Sequence, residues 1–262
     1  MIRHFLAAVT TCLVAGSAWA AAPTSYAVLS LVGDKIDIVT YQPQIGSNLD
    51  SNTHMPLAFP SDEFDTVALR TVNRAIRANA PGLPVALLAA STAETFTGQA
   101  AMFSGDHVTL PAEMDAAVHR EGATTLVLIT KHRGEARLHV YQGYIGSGKI
   151  DGLGFYVDTD TRLQVHETGE RAVGFLAPFV YIDVWLIDVA TGTVTRRTSI
   201  ASGQVISTAQ NADGVHPWDA ISTEEKVATL KTMLTDDLAA IIPGLITGKL
   251  DQLADPAGSL HE

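Results

Sequence analysis

Cysteine is nearly missing from this 262-residue chain, since the single Cys12 lies within the first 20 residues. A mature protein without those residues has no thiol, which excludes disulfides, cysteine nucleophiles and thiolate metal sites. Basic charge is also scarce: 17 Lys and Arg face 28 Asp and Glu, for a formal charge of −11. No run of Lys or Arg offers a stripe that could follow phosphates, so neither nucleic acid nor anionic lipid is an expected partner. Beyond the N-terminus no apolar stretch approaches 18 residues, and no transmembrane segment is expected in the mature chain. Eight of the nine histidines lie beyond residue 20, yet no pair has the i, i+4 helical spacing of H-E-x-x-H, and no metal site is expected. Ser30 and Ser147 lack a G-x-S-x-G elbow. No catalytic residue and no cofactor is implied.

What is present begins with an export signal. "MIRHFLAAVTTCLVAGSAWA" has Arg3, an apolar run from Phe5 to about Ala15, and the small-x-small ending Ala18-Trp19-Ala20. The run is too short to span a bilayer. Residues 1–20 are therefore expected to be a signal peptide, cleaved near Ala20–Ala22, which places the mature chain in the periplasm or outside the cell. Loss of Arg3 leaves 16 basic residues against the same 28 acids, a net of −12. The residues before Cys12 do not form a lipoprotein acceptor motif, so no lipid anchor is expected. A hydrophobic content of 47% is ample for a packed core.

Periodicity supplies the elements. "YAVLSLV" and "KIDIVTY" flank Gly33-Asp34 and read as a hairpin, Tyr26–Val32 with Lys35–Gln42. The polar stretch from Gln44 to Pro60 reads as a loop. A helix follows, with Ser61 as expected N-cap and Phe64, Val67, Ala68, Val72, Ala75 and Ile76 at helical spacing. "PVALLAAS" suits a strand covered on both faces. A second helix runs from Pro111 to a stop at Gly122. "ATTLVLIT" is a core strand, "KHRGE" its turn, and "ARLHVYQ" the return, with Arg137, His139 and Tyr141 on one face. Two long strands surround Ala190-Thr191-Gly192-Thr193. The last helix opens with a capping box, Ser222 to Glu225, and is expected to break or kink at Pro243-Gly244. The fold class expected is α/β: a single sandwich domain over 21–253, with a mixed sheet, antiparallel hairpins and about three main helices, then a tail at 254–262.

Four features invite a functional reading. Gly143, Gly148 and Lys149 match G-x-x-x-x-G-K, but Ile150 stands where a P-loop needs Ser or Thr, and "DGLGFYVDTDT" is a β-type run where the loop needs a helix. The glycines are expected to permit positive φ in a connection, and no nucleotide is expected. Asp158-Thr159-Asp160 lacks the remaining calcium ligands and reads as a hairpin turn. Lys131, His132 and Arg133 close a core strand, where ligands of α/β sheets collect, and form a candidate cradle for carboxylate or phosphate. Phe155 and Tyr156, within Gly152–Tyr156, and Trp218, within His216-Pro217-Trp218, are candidate interaction residues.

The order of elements, with the stretch "VYIDVWLIDVATGTVTRRTSI" (Val180 to Ile200), resembles a group of envelope proteins. These are the periplasmic domain of the curli secretion channel family, the activator lipoproteins of penicillin-binding proteins, and the N-terminal domain of TolB. Leu186, Asp188, Thr191, Gly192 and Val194 carry the match to an L-x-D-x-x-T-G-x-V hairpin. The chain departs from them in lacking an acceptor cysteine and membrane-inserting hairpins. The resemblance implies a non-enzymatic envelope protein whose partner is another envelope protein, and it transfers no catalytic residue. The alternative is a small-ligand-binding protein or a motif-less hydrolase built around His132, Arg133 and Asp34. The oligomeric state is open.

Overall fold

The computed structural model describes residues 24–43, 50–59, 61–90, 93–141, 143–164, 171–206 and 216–249. The expected signal peptide, its cleavage point and the expected tail lie outside them. In chain order the elements are β1 (Tyr26–Ser30), β2 (Lys35–Thr40), β3 (Thr53–Ala58), α1 (Glu63–Asn79), β4 (Val85–Leu88), α2 (Ala93–Thr97), β5 (Phe103–Ser104), β6 (His107–Val108), α3 (Ala112–Arg120), β7 (Thr125–Lys131), β8 (Arg133–Glu135), β9 (Leu138–Val140), β10 (Gly143–Ile145), β11 (Lys149–Gln164), β12 (Arg171–Asp188), β13 (Thr193–Gly203) and α4 (Thr223–Thr247). Eleven strands make one mixed sheet, and β9 with β10 makes a separate two-stranded ribbon. With helices packed on the sheet this is the expected α/β fold.

The long strand β12 organises the sheet. One edge carries β13 along Phe179–Asp188. The other edge is shared by two strands in succession: β11 pairs with the first half of β12, up to Gly152↔Tyr181, and β7 with the second half, from Lys131↔Ile182. Outside this line, β1 runs parallel to β7 and β2 runs parallel to β11. The expected β1–β2 hairpin is therefore not formed. Gly33-Asp34 is a step, at which the chain leaves β7 and takes up beside β11 in the same direction. Side chains splice the gap. Asp65 of α1 accepts from Ser30 Oγ (2.6 Å), Val32 N (3.0 Å) and Gly33 N (3.2 Å). Gln99 donates to the Leu31 carbonyl (2.7 Å) and accepts from Lys131 N (2.9 Å). A Cβ at Gly33 would lie 2.5 Å from Asp65 Oδ2, so the splice requires glycine there.

Other expectations are corrected in the same way. The β7 strand does not return through "ARLHVYQ": β8 pairs with the start of β11, and β9 pairs with β10. The stretch read as a loop contains β3, paired to β2. Strand β4 pairs only with β1, so it is an edge with Leu87 exposed rather than a doubly covered strand. Asp158-Thr159-Asp160 lies inside β11 at a bulge, where the Asp158 carboxylate accepts from Asp160 N and Thr161 N. The N-cap of α1 is Asp62, one residue beyond Ser61.

The two faces are filled differently. One face bears a continuous core: Val28, Val127 and Ile129 from one end, Leu153, Phe155 and Val180 from the other, packed under α1 and α4. Each fully buried Leu of α4 (230, 234, 238, 245) contributes about 1.5–3 kcal/mol by leaving water. The Ser222–Glu225 capping box forms as expected. The helix runs on past Pro243 to Thr247, where Gly248 ends it in the left-handed conformation. The opposite face is split. One cluster (Leu29, Leu126, Leu128, Ile187) lies with Met114 and Val118 of α3, and a second (Tyr156, Phe179, Tyr181) lies with Ala136 and Leu138.

Candidate functional site

The candidate basic residues stand where β7 hands over to β11, and each meets a different carboxylate. Lys131 Nζ pairs with Asp34. His132 Nδ1 lies 3.3 Å from Asp183 Oδ2. Arg133 Nη2 donates to Asp50 Oδ2 at 2.9 Å. Lys131 has a side chain only 9% exposed and Arg133 one that is 64% exposed, so the three do not share one surface. The proposed third group of a catalytic arrangement, Asp34, is on Lys131 and not on His132 or Arg133. Further acid lies close by. Asp151 has its pKa raised, first by burial, against the pull of Lys131, Lys35 and Arg133 and with a push from Asp37. Asp37 in turn holds His54 Nδ1 at 2.7 Å. Four aspartates (34, 37, 50 and 151) thus answer Lys35, Lys131 and Arg133, and the junction is not a cradle for an added anion.

His132 and Asp183 sit in the polar seam between the two clusters of the split face. Along β12, Asp183 falls between Tyr181 of one cluster and Ile187 of the other. Its second oxygen accepts from Ser199 Oγ at 2.5 Å. A serine nucleophile must bond the free nitrogen of the imidazole base; here the serine bonds the carboxylate instead. The ring of His132 lies against Tyr181, centroids 6.2 Å apart. The Asp183 hydrogen bond raises its pKa, opposed by burial. This seam supports the sheet and has no arrangement for nucleophilic attack.

The glycine-rich connection does not lead into a helix. Lys149 opens β11 and pairs with Glu135. Gly146, Gly148 and Gly152 have positive φ, as expected of a folded connection. The Lys149 amide points at Asp50 Oδ1 (3.3 Å), and Asn52 Nδ2 donates to the Ser147 carbonyl (2.6 Å). An internal carboxylate therefore stands where a phosphate would have to be held. Asp50 and Asn52 were missed because they lie in the polar stretch read as a loop, and only the contact across about 100 residues gives them a role.

The candidate aromatic surface is corrected. Phe155 and Tyr156 are fully buried, one in each core. The glycines beside them mark close packing: a Cβ at Gly154 would strike the Asp37 carbonyl and come within 2.5 Å of Phe179 Cζ. Trp218 is half-buried and sets its ring edge-on to Phe155 at 5.7 Å, with Lys226 Nζ 4.4 Å above it. The exposed aromatics are elsewhere, at Tyr141 (70%) and Tyr144 (48%), by the β9–β10 ribbon. Among the described residues no group of three or more His, Cys, Asp and Glu is placed to hold a metal, and no helix is long and apolar enough to cross a membrane.

No family model matches the chain, and no curated protein matches it. Among solved structures it is similar to a PelC dodecamer from Paraburkholderia phytofirmans (12% identity, TM-score 0.33, 85% of this chain and 87% of that one). It is also similar to protein XCC0632 from Xanthomonas campestris (10%, 0.38, 91% and 93%). A third is a putative neuraminyllactose-binding hemagglutinin homolog from Helicobacter pylori (8%, 0.39, 88% and 88%). Similarity at this level carries no argument for function.

Proposed function

We propose that this chain is an exported, non-enzymatic interaction or assembly factor of the bacterial envelope, acting by binding another protein. One observation carries the reading: the polar residues nearest to a site, Lys131, His132 and Arg133, are each engaged by a separate carboxylate of the same chain. A hydrolase or small-anion binder needs such groups converging on open space. The tripartite first 20 residues support export. The Val180–Ile200 hairpin, with Asp188 Oδ1 accepting from both the amide and the hydroxyl of Thr191 (2.9 Å each), supports the proposed kinship with the curli channel domain, the activator lipoproteins and TolB.

The test is isolation of the tagged protein from the envelope after reversible cross-linking. The expected product begins at Ala21 or Pro23 by intact mass and migrates with a partner protein, unchanged by His132→Ala or Arg133→Ala. Recovery of a lone monomer, or retention of Met1, would overturn the proposal. So would saturable phosphate or carboxylate binding that disappears in Arg133→Ala.

A further inference from the structure

Among the described residues several cations of this acidic chain are held by acceptors of the chain itself. Lys131, Arg133, Lys149 and Lys231 have carboxylate partners, and Arg196 donates to the Leu245 and Ile246 carbonyls at the end of α4. The β9–β10 ribbon differs. Its cross-strand pair is His139 with Tyr144, and the two rings meet edge to face at 5.7 Å. The Arg137 guanidinium lies over the Tyr144 ring at 4.7 Å from the centroid. Arg137, His139, Tyr141 and Tyr144 are all exposed, and Tyr141 follows β9 directly.

The ribbon is held firmly from behind. Leu138 is buried, the Arg137 amide donates to the Tyr181 hydroxyl (3.0 Å), and the Val205 amide donates to the His139 carbonyl (3.2 Å). Two tyrosines, an arginine and a histidine are thus presented outward on a fixed backbone. Tyrosine and arginine are the residue types that dominate binding energy at protein interfaces, because they offer large area at small entropic cost. A cation resting on an aromatic face keeps its outer edge for an incoming carboxylate. No Asp or Glu lies between Arg137 and Ile145, and among the described residues no carboxylate forms an ion pair with Arg137 or His139, so the charge this surface complements is an acidic one.

From this geometry we infer that the β9–β10 ribbon is the docking surface for an acidic protein segment, its carboxylates on Arg137 and His139 and its apolar side chains on Tyr141 and Tyr144. This rests on the binding reading given above and names its surface and partner chemistry.

The experiment is photo-cross-linking in the producing cell from p-benzoylphenylalanine at position 141, with a second probe at Thr232 on the exposed side of α4. The expected result is a protein adduct from 141 whose cross-linked peptide is rich in Asp and Glu. Its yield should fall about tenfold in Arg137→Glu, as for an interfacial hot spot, and hold in Arg70→Glu on α1. Tyr144→Ala, checked by an unchanged denaturant midpoint, is the second variant and should also lower the yield. An adduct that withstands protease and yields to periodate would mean a glycan partner and overturn the inference. So would an adduct insensitive to both variants, or one formed only from Thr232, which leaves the binding function standing. No adduct from either probe, together with a monomer in the envelope extract, would sink both.

Discussion

The two faces of the sheet solve the same topological problem differently. Both cross the line where β7 gives way to β11 and β1 to β2. On the helical face the apolar core passes over that line without interruption, and one buried carboxylate, Asp65, gathers the amides left by the step. On the other face the core divides, and the division is filled by His132, Asp183, Ser199 and the Thr130 hydroxyl that accepts from Trp185. A broken ladder leaves polar backbone that must be satisfied. A helix can bring one acid to it from above, whereas a face covered by short elements needs polar side chains from the strands themselves. His132 of the candidate cluster belongs to the second solution, which explains why it is polar and yet engaged.

The comparison can be broken most directly on the continuous face. Leu234→Ala removes a fully buried side chain beneath α4 and should cost about 2–5 kcal/mol through lost burial and a cavity. The check is the denaturant midpoint. An unchanged value would mean that α4 is not part of the core, and the contrast between faces would lose its basis.

A second test concerns an acid placed in the covered face. Burial, opposed by a hydrogen bond with Ser202 and aided by Asp236, pushes the Asp237 carboxyl up to about 6. A folded-state pKa above the ordinary 3.8 favours the protonated form. Its contribution to stability is therefore greatest below about pH 4 and is lost as pH rises through about 6, by about 3 kcal/mol in full. Asp237→Asn should recover most of that at pH 8 and change little at pH 4, read from urea midpoints at the two pH values. Equal effects at both would remove the buried acid as the cause.

On the split face the effects are smaller. The pKa of His132 is raised, chiefly by its hydrogen bond to Asp183. Its contribution is present below the unfolded value of about 6.5 and fades as pH rises through the folded value. Because the ring is partly open to solvent, the stake is less than about 1 kcal/mol. His132→Ala should flatten the stability profile between pH 6 and 8, measured by thermal midpoints, and a steeper profile would contradict the pairing. Smallest of all is Lys149→Ala. Its exposed pair with Glu135 should be worth less than about 0.5 kcal/mol. Calorimetry should find no ATP affinity to lose.

The sequence made local structure legible and left pairing hidden. The capping box at Ser222, the stop at Gly122 and the β12–β13 turn at Thr191-Gly192 are fixed by residues within a few positions of one another. Gly33-Asp34 has the same local appearance as a hairpin turn, but its outcome depends on Ser30 facing Ile129 and Asp37 facing Gly154, roughly 100 residues away. Likewise Gly152 and Gly154 suggested an open aromatic surface, because a glycine that admits a neighbouring strand reads like one that relaxes a loop. The basic cluster was visible; the aspartates that engage it, at 34, 50 and 183, come from three other segments.

The edge strand β3 has one further consequence. The Phe59 amide donates to the Asp34 carbonyl, and in that register β3 turns the backbone of 54, 56 and 58 away from β2. The middle one of these is Pro56, which has no N–H to offer. A neighbouring molecule approaching this rim in extended form would find its central donor missing, which disfavours lengthening the sheet there. One imino acid thereby blunts a rim that also exposes Met55 and Leu57, the kind of edge on which extended chains stack.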